Sequence, residues 1–94
     1  MSIRSFACAD TQRFFDGSKI KQFEPFESVA MRKLAMLDAA KTLGELRIPP
    51  ANRLEALKGN RARQHSIRIN DQFRICFTWT EAGPAWVEIC DYHR

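Results

Sequence analysis

The amino-acid sequence predicts an α+β fold in the order β-α-α-β-β-β, with two N-terminal helices packed on a small, mainly antiparallel sheet. Two observations carry the prediction. Apolar residues recur every three or four positions up to Leu43, then every second position after Gly59. The alternating runs are joined by short turn segments, which suit antiparallel neighbours, whereas parallel strands need a crossover of a dozen or more residues.

Each element has a local reason. Ile3 to Phe6 is a short apolar run with a β-branched member and reads as a strand. Asp10 is suited to N-cap a helix that carries Phe14 and Phe15 and stops at Gly17. Gly17 to Glu24 shows no clear period and reads as an exposed connection. From Phe26, the positions Val29, Ala30, Leu34, Leu37, Ala40 and Leu43 follow helical spacing, with Gly44 placed as a C-cap. Pro49-Pro50 forbids continuation, so 45–52 is a connector, and Arg53 to Gly59 is either a short turn or an extended stretch.

The second half follows the period of strands. Ile67 and Ile69 alternate with Ser66, Arg68 and Asn70, and Phe73, Ile75, Phe77 and Trp79 alternate with Arg74, Cys76 and Thr78. Asn70-Asp71-Gln72 turns the chain between them, and Glu81-Ala82-Gly83-Pro84 turns it again into a strand from Trp86 to about Asp91.

At 94 residues the chain is expected to form a single domain, 1–94. An apolar content of 45% with only four Gly and four Pro points to a folded globule instead of a disordered or fibrous chain. No run approaches the ~20 apolar residues of a membrane span, and no apolar segment of a signal peptide follows Met1-Ser2-Ile3-Arg4, so a cytoplasmic location without membrane association is expected. Cys8, Cys76 and Cys90 are odd in number and lack metal-ligand spacing. Free thiols, no metal site and no cofactor are the corresponding expectations.

Charge is unevenly spread. The segment from Arg47 to Arg74 holds Arg47, Arg53, Lys58, Arg61, Arg63, Arg68 and Arg74 against Glu55 and Asp71, an excess of five that exceeds the whole chain's net charge of +4. Such a stripe suits a polyanion, because each cation that neutralises a phosphate releases condensed counterions; it also suits a merely solvated face. Period two turns Arg68, Arg74, Glu88, Cys90 and Tyr92 to the sheet face opposite Ile67, Ile75, Phe77, Val87 and Ile89. RNA can be cut through attack of its own 2′-OH when a base, an acid and cations are supplied. His93, Tyr92, Arg68, Arg74 and Lys58 can supply all three, although a terminal Tyr-His pair can equally be a frayed end.

Three segments, Asn52-Arg53-Leu54-Glu55-Ala56-Leu57-Lys58-Gly59, Ser66 to Ile75 (SIRINDQFRI) and Val87 to His93 (VEICDYH), together resemble the successive signatures of HigB-type toxins in the RelE/ParE group. The resemblance covers essentially the whole chain and implies the RelE/ParE-like fold. It implies a toxin of a type II toxin–antitoxin system, a metal-independent endoribonuclease that enters the ribosome and cleaves messenger RNA during translation. A helix-turn-helix, HigA-like antitoxin would hold it silent. It further implies that Arg68, Arg74, Asp91, Tyr92 and His93 form the active surface with Lys58 beside it, while Arg53, Arg61, Arg63 and Asn70 are expected to hold RNA. Some relatives carry histidine where this chain has Glu55, which leaves the acid/base division open and makes Glu55 a candidate proton-transfer group.

His65 falls by parity on the Ile67 face or at the strand's start and reads as structural. Met31, Met36, Trp79 and Trp86 read as core or rim packing, although parity puts Trp86 on the same face as Tyr92. Two other functions stay open: a ParE-like non-nuclease toxin that inhibits DNA gyrase, and a non-catalytic nucleic-acid-binding module.

Overall fold

The period-two half of the chain forms one sheet, and the helices cover one of its faces. The computed structural model describes residues 2–91. Tyr92 and His93, two of the expected active-surface residues, lie outside the described residues. Two α-helices, α1 (Ala9–Phe15) and α2 (Glu27–Ala39), precede β1 (Glu55–Ala56), β2 (Gln64–Arg68), β3 (Phe73–Thr80) and β4 (Gly83–Asp91). The four strands lie in sequence order and pair antiparallel throughout.

The expected first strand is an extended segment running parallel to β4 on its outer edge. Arg4 N donates to Pro84 O (2.8 Å), Val87 N to Ser5 O (3.1 Å) and Ala7 N to Val87 O (2.9 Å). The stretch left open between turn and extended is extended: Glu55 and Ala56 pair with Ser66 and His65, and Leu57 N continues the ladder to Gln64 O at 2.9 Å.

Helix boundaries differ from the sequence reading for identifiable reasons. Cys8, not Asp10, is the N-cap of α1; Asp10 lies in the first turn, where its carboxylate meets Arg13 and Gln22 and opposes the helix dipole's positive end. Residues 17–24 are not an exposed connection, because Ile20 and Phe23 are buried. They lead into a 3-10 turn, Lys21–Phe26, where the N-cap Ile20 and then Phe23 and Phe26 recur at the period of three that this tighter helix requires. Phe23 meets Phe14 edge-on at 5.3 Å. Helix α2 stops at Ala39 with Ala40 extended, and the apolar spacing continues into a second 3-10 turn, Leu43–Arg47, which takes Gly44 inside it.

Side-chain alternation divides the sheet as expected. Ile67, Ile75, Phe77 and Val87 are fully buried against Phe14, Leu34, Leu37 and Leu46 on the helical side. The other face is not wholly open, since Leu57 folds over Cys76 and Cys90 to form a small second cluster. Between Cys76 and Thr78 the β3/β4 register shifts, so that Trp86 and Val87 together oppose Phe77 in a bulge.

Candidate functional site

The outer sheet face gathers Glu55, Ser66, Arg68, Arg74, Glu88 and Cys90, because Glu55 pairs with Ser66, Arg68 with Arg74, and Arg74 with Cys90 across successive strands. Arg74 is 8% exposed and firmly held. Its Nε donates to Ser66 Oγ (2.7 Å), Nη2 donates to Arg53 O (2.6 Å), and Glu55 Oε1 lies 3.7 Å from Nη2. A guanidinium positioned by three separate elements is a preorganised cation, since its orientation is set before any ligand arrives.

Arg68 is more accessible. Its Nη2 pairs with Asp71 Oδ1 in the β2–β3 turn, and Asp71 is itself fully exposed. The turn is organised by Asn70, whose Oδ1 accepts from Gln72 N (2.9 Å) and Phe73 N (2.7 Å). Asn70 is expected to meet RNA, and its side-chain carbonyl is taken up by the turn.

Asp91 stands apart from the two arginines in parity. It pairs with Phe73, shares the alternation of Val87 and Ile89, and accepts from Gln72 Nε2 at 3.0 Å, so it lies at the end of the sheet beside the turn and not on the Arg74 face. Glu55 is on that face, half exposed at the edge strand and within reach of Arg74.

The remaining cations of the stripe differ in exposure and engagement. Arg53 is exposed at the end of the 3-10 turn Pro50–Asn52, in the left-handed region (φ 46°) that aims its carbonyl at Arg74. Lys58 is exposed just before the turn Gly59–Arg61. Arg63 is exposed with φ 80°. Arg61 is engaged, its Nη1 donating to Glu88 Oε1 and Gln64 Oε1, both at 3.0 Å.

A buried polar pair behind the site is absent from the sequence reading. Lys33 on α2 is 4% exposed and donates to Asn52 Oδ1, while Asn52 Nδ2 donates to Leu46 O (3.1 Å). Burial first, and then the charges of Arg32 and Arg68, hold the Lys33 ammonium's pKa below its ordinary value. Asn52 thus ties α2 to the connector and fixes the residue whose neighbour, Arg53, positions Arg74. A lysine within the apolar stripe of Ala30, Leu34 and Leu37 marks Lys33 as buried but does not name its partner.

His65 is on the helical side, stacked on Phe77 with ring centroids 6.3 Å apart, in keeping with a structural role. It borders a cleft of about 440 Å³ together with Leu43, Arg47 and Leu54. Among the described residues, no three His, Cys, Asp or Glu side chains converge as metal ligands, and no helix is long and apolar enough to cross a membrane.

Residues 4–93 match the family model of RelE-like toxins of the type II toxin–antitoxin system HigB. The chain is 40% identical over 85 residues to toxin HigB-1 of Vibrio cholerae serotype O1, covering 88% of each. In solved structures its fold resembles the YoeB dimer of Staphylococcus aureus (TM-score 0.58, 21% identity, 100% of this chain and 98% of that one). It also resembles the YoeB–YefM complex of the same organism (TM-score 0.56, 19% identity, the full length of both chains).

Proposed function

The chain belongs to the HigB family of RelE-like toxins of type II toxin–antitoxin systems, and from that premise we propose that it is a ribosome-dependent endoribonuclease that cuts messenger RNA and so blocks translation. As a toxin of such a system it is paired with an antitoxin. We take that partner to be a helix-turn-helix, HigA-like protein, the site of action to be the ribosome in the cytoplasm, and residues 1–94 to act as one unit.

The observation that supports this reading best is the pairing of Arg68 with Arg74 on one sheet face, with Glu55 beside Arg74; in sequence, Tyr92 and His93 follow β4, the strand that flanks Arg74. A preoriented arginine helps plain binding of a polyanion by lowering the ordering cost. A catalyst gains further, because the equatorial oxygens of a phosphorane gain charge in the transition state, and a preoriented guanidinium meets that charge without reorganising.

In the proposed reaction, the 2′-oxygen of the message attacks the adjacent phosphorus while a base takes its proton. The P–O5′ bond breaks and the departing 5′-oxygen receives a proton from an acid. His93 and Tyr92 are assigned the proton transfers, Arg68 and Arg74 the phosphorane charge, and Lys58 a neighbouring phosphate. Glu55 is the second candidate for a proton-transfer role, although its place beside Arg74 equally suits holding that guanidinium in line. Arg53, Arg61 and Arg63 are assigned to the RNA backbone, with Arg61 already engaged by Glu88.

Purified chain incubated with ribosomes carrying a defined message tests the proposal. Fragments ending in a 2′,3′-cyclic phosphate and starting with a 5′-OH, formed only on the ribosome, are expected. Intact message together with inhibited gyrase supercoiling would replace the proposal with the ParE-like alternative; intact message and unaffected gyrase would leave a binding module.

A further inference from the structure

Trp86 combines exposure with an unfavourable backbone. The residue is 58% exposed, and Ile48 is the other large hydrophobic exposed among the described residues. Its φ is +54°, a left-handed conformation that bulky L residues avoid because Cβ crowds the following carbonyl. The surrounding structure enforces it. Trp86 sits in the bulge opposite Phe77, its N donates to Ser5 Oγ (2.9 Å), and the next amide, Val87 N, donates to Ser5 O (3.1 Å). Strain retained at an exposed aromatic points to use rather than to packing, since glycine would fit the backbone better and little core would be lost.

We propose that Trp86 is a stacking platform for one unpaired base of the message, a few nucleotides from the phosphate held by Arg74; this rests on the ribonuclease reading above. Two features select a base over a protein as occupant. The exposed apolar surface is a single flat ring, whereas a protein contact needs a contiguous patch several side chains wide. Cations also follow it along the strand: Arg61 neutralises Glu88, two residues on, and Arg74 faces Cys90, four residues on and roughly 13 Å away at strand spacing. A message held at Arg74 that continues along β4 reaches Trp86 within a few nucleotides. Stacking on a ring with only two side-chain torsions is tolerant of base identity and loses little conformational freedom on binding.

The test uses ribosomes programmed with a message whose cut-site 2′-OH is replaced by hydrogen, titrated with wild type, Trp86→Phe, Trp86→Gly and Trp86→Asn. Glycine and asparagine both accept a left-handed backbone, so these variants are expected to melt no lower than wild type. Trp86→Gly and Trp86→Asn are expected to bind roughly tenfold more weakly, with Trp86→Phe recovering most of the loss. A single abasic nucleotide, scanned along the message, should erase the difference between wild type and Trp86→Gly at one position. Equal affinity of wild type and Trp86→Gly, or a loss that no abasic position erases, would overturn the stacking role while wild type still cleaves the unmodified message. Loss of antitoxin binding with message binding intact would make the ring a protein contact and also overturn it. A wild-type chain that neither binds nor cleaves would overturn the ribonuclease reading and the stacking role together.

Discussion

Arg68 and Arg74 stand directly opposite each other across β2 and β3, two guanidinia in paired positions on one sheet face. Like charges placed so are destabilising, and here each is offset by its own carboxylate, Asp71 for Arg68 and Glu55 for Arg74. An arrangement that works against stability, yet is held by Ser66 and Arg53, is what a site for a dianionic transition state requires.

The two arginines should respond differently to removal. Arg68 is half-exposed and its partner Asp71 is in open solvent, so Arg68→Ala should change stability by at most about 0.5 kcal/mol, relief of repulsion offsetting the lost surface pair. Arg74→Ala leaves Ser66 and the Arg53 carbonyl without their buried donor and should lower stability by about 1–3 kcal/mol. Both should slow cleavage by on the order of 10²–10³. Urea denaturation alongside single-turnover cleavage separates the two; an Arg74→Ala chain as stable as wild type would contradict the geometry.

Arg53, Lys58 and Arg63, three exposed residues of the stripe, should act through phosphates. Ribosome affinity should then fall steeply as salt rises from low to physiological concentration, and each alanine replacement should reduce the slope of log affinity against log salt by about 0.7–0.9. A slope unchanged in all three variants would place the RNA elsewhere.

Asn52 is the tightest buried polar link between helix and site. Its amide and carbonyl together engage Leu46 O, Ile48 O, Met36 Sδ and Lys33 Nζ, with none of the residue exposed. Asn52→Ala strands the Lys33 ammonium and should cost about 2–3 kcal/mol, more than any exposed substitution in the stripe. Thermal denaturation of Asn52→Ala against Arg63→Ala measures the contrast.

Lys33 also sets a pH dependence. Its pKa in the folded chain lies below the 10.5 of the free side chain, chiefly through burial, so between the two values the unfolded chain binds more protons and stability rises with pH. The penalty of the buried ammonium is complete below the folded pKa and is relieved as pH climbs toward 10.5. Denaturant midpoints of wild type and Lys33→Met followed from neutral pH upward should converge in that window if the variant is the more stable, or diverge in favour of wild type if it is the less stable. Parallel curves would show that Lys33 titrates normally.

How much of this was legible follows from which residues obey a simple period. Alternation alone placed Arg68, Arg74, Glu88 and Cys90 opposite the Ile67 and Ile75 face, and the structure agrees. The same alternation separates Asp91 from Arg74, a division that grouping Asp91 with Tyr92 and His93 as one motif obscured. Three features had no period to reveal them. The 3-10 turns repeat every three residues over too short a span, the Asn52–Lys33 pair joins residues nineteen apart, and the Trp86 bulge interrupts the alternation that would locate it.

The decisive measurement concerns proton transfer, which the guanidinia of Arg68 and Arg74 cannot perform. If His93 and Tyr92 carry it, His93→Ala should slow single-turnover cleavage on ribosomes by on the order of 10²–10⁴, with Tyr92→Ala also impaired and ribosome affinity reduced far less than rate. Glu55 provides the internal comparison. It lies 3.7 Å from Arg74 at an exposed edge strand, so if it only aligns that arginine, Glu55→Gln, which retains an acceptor of the same shape, should keep most activity and leave the pH–rate profile unchanged. If Glu55 is the base, Glu55→Gln should remove the acidic limb of that profile and cost as much rate as His93→Ala is expected to. A near wild-type rate in His93→Ala with a large loss in Glu55→Gln would transfer the acid/base role to Glu55, and unchanged rates in His93→Ala, Tyr92→Ala, Arg68→Ala, Arg74→Ala and Glu55→Gln would remove the active site from this face.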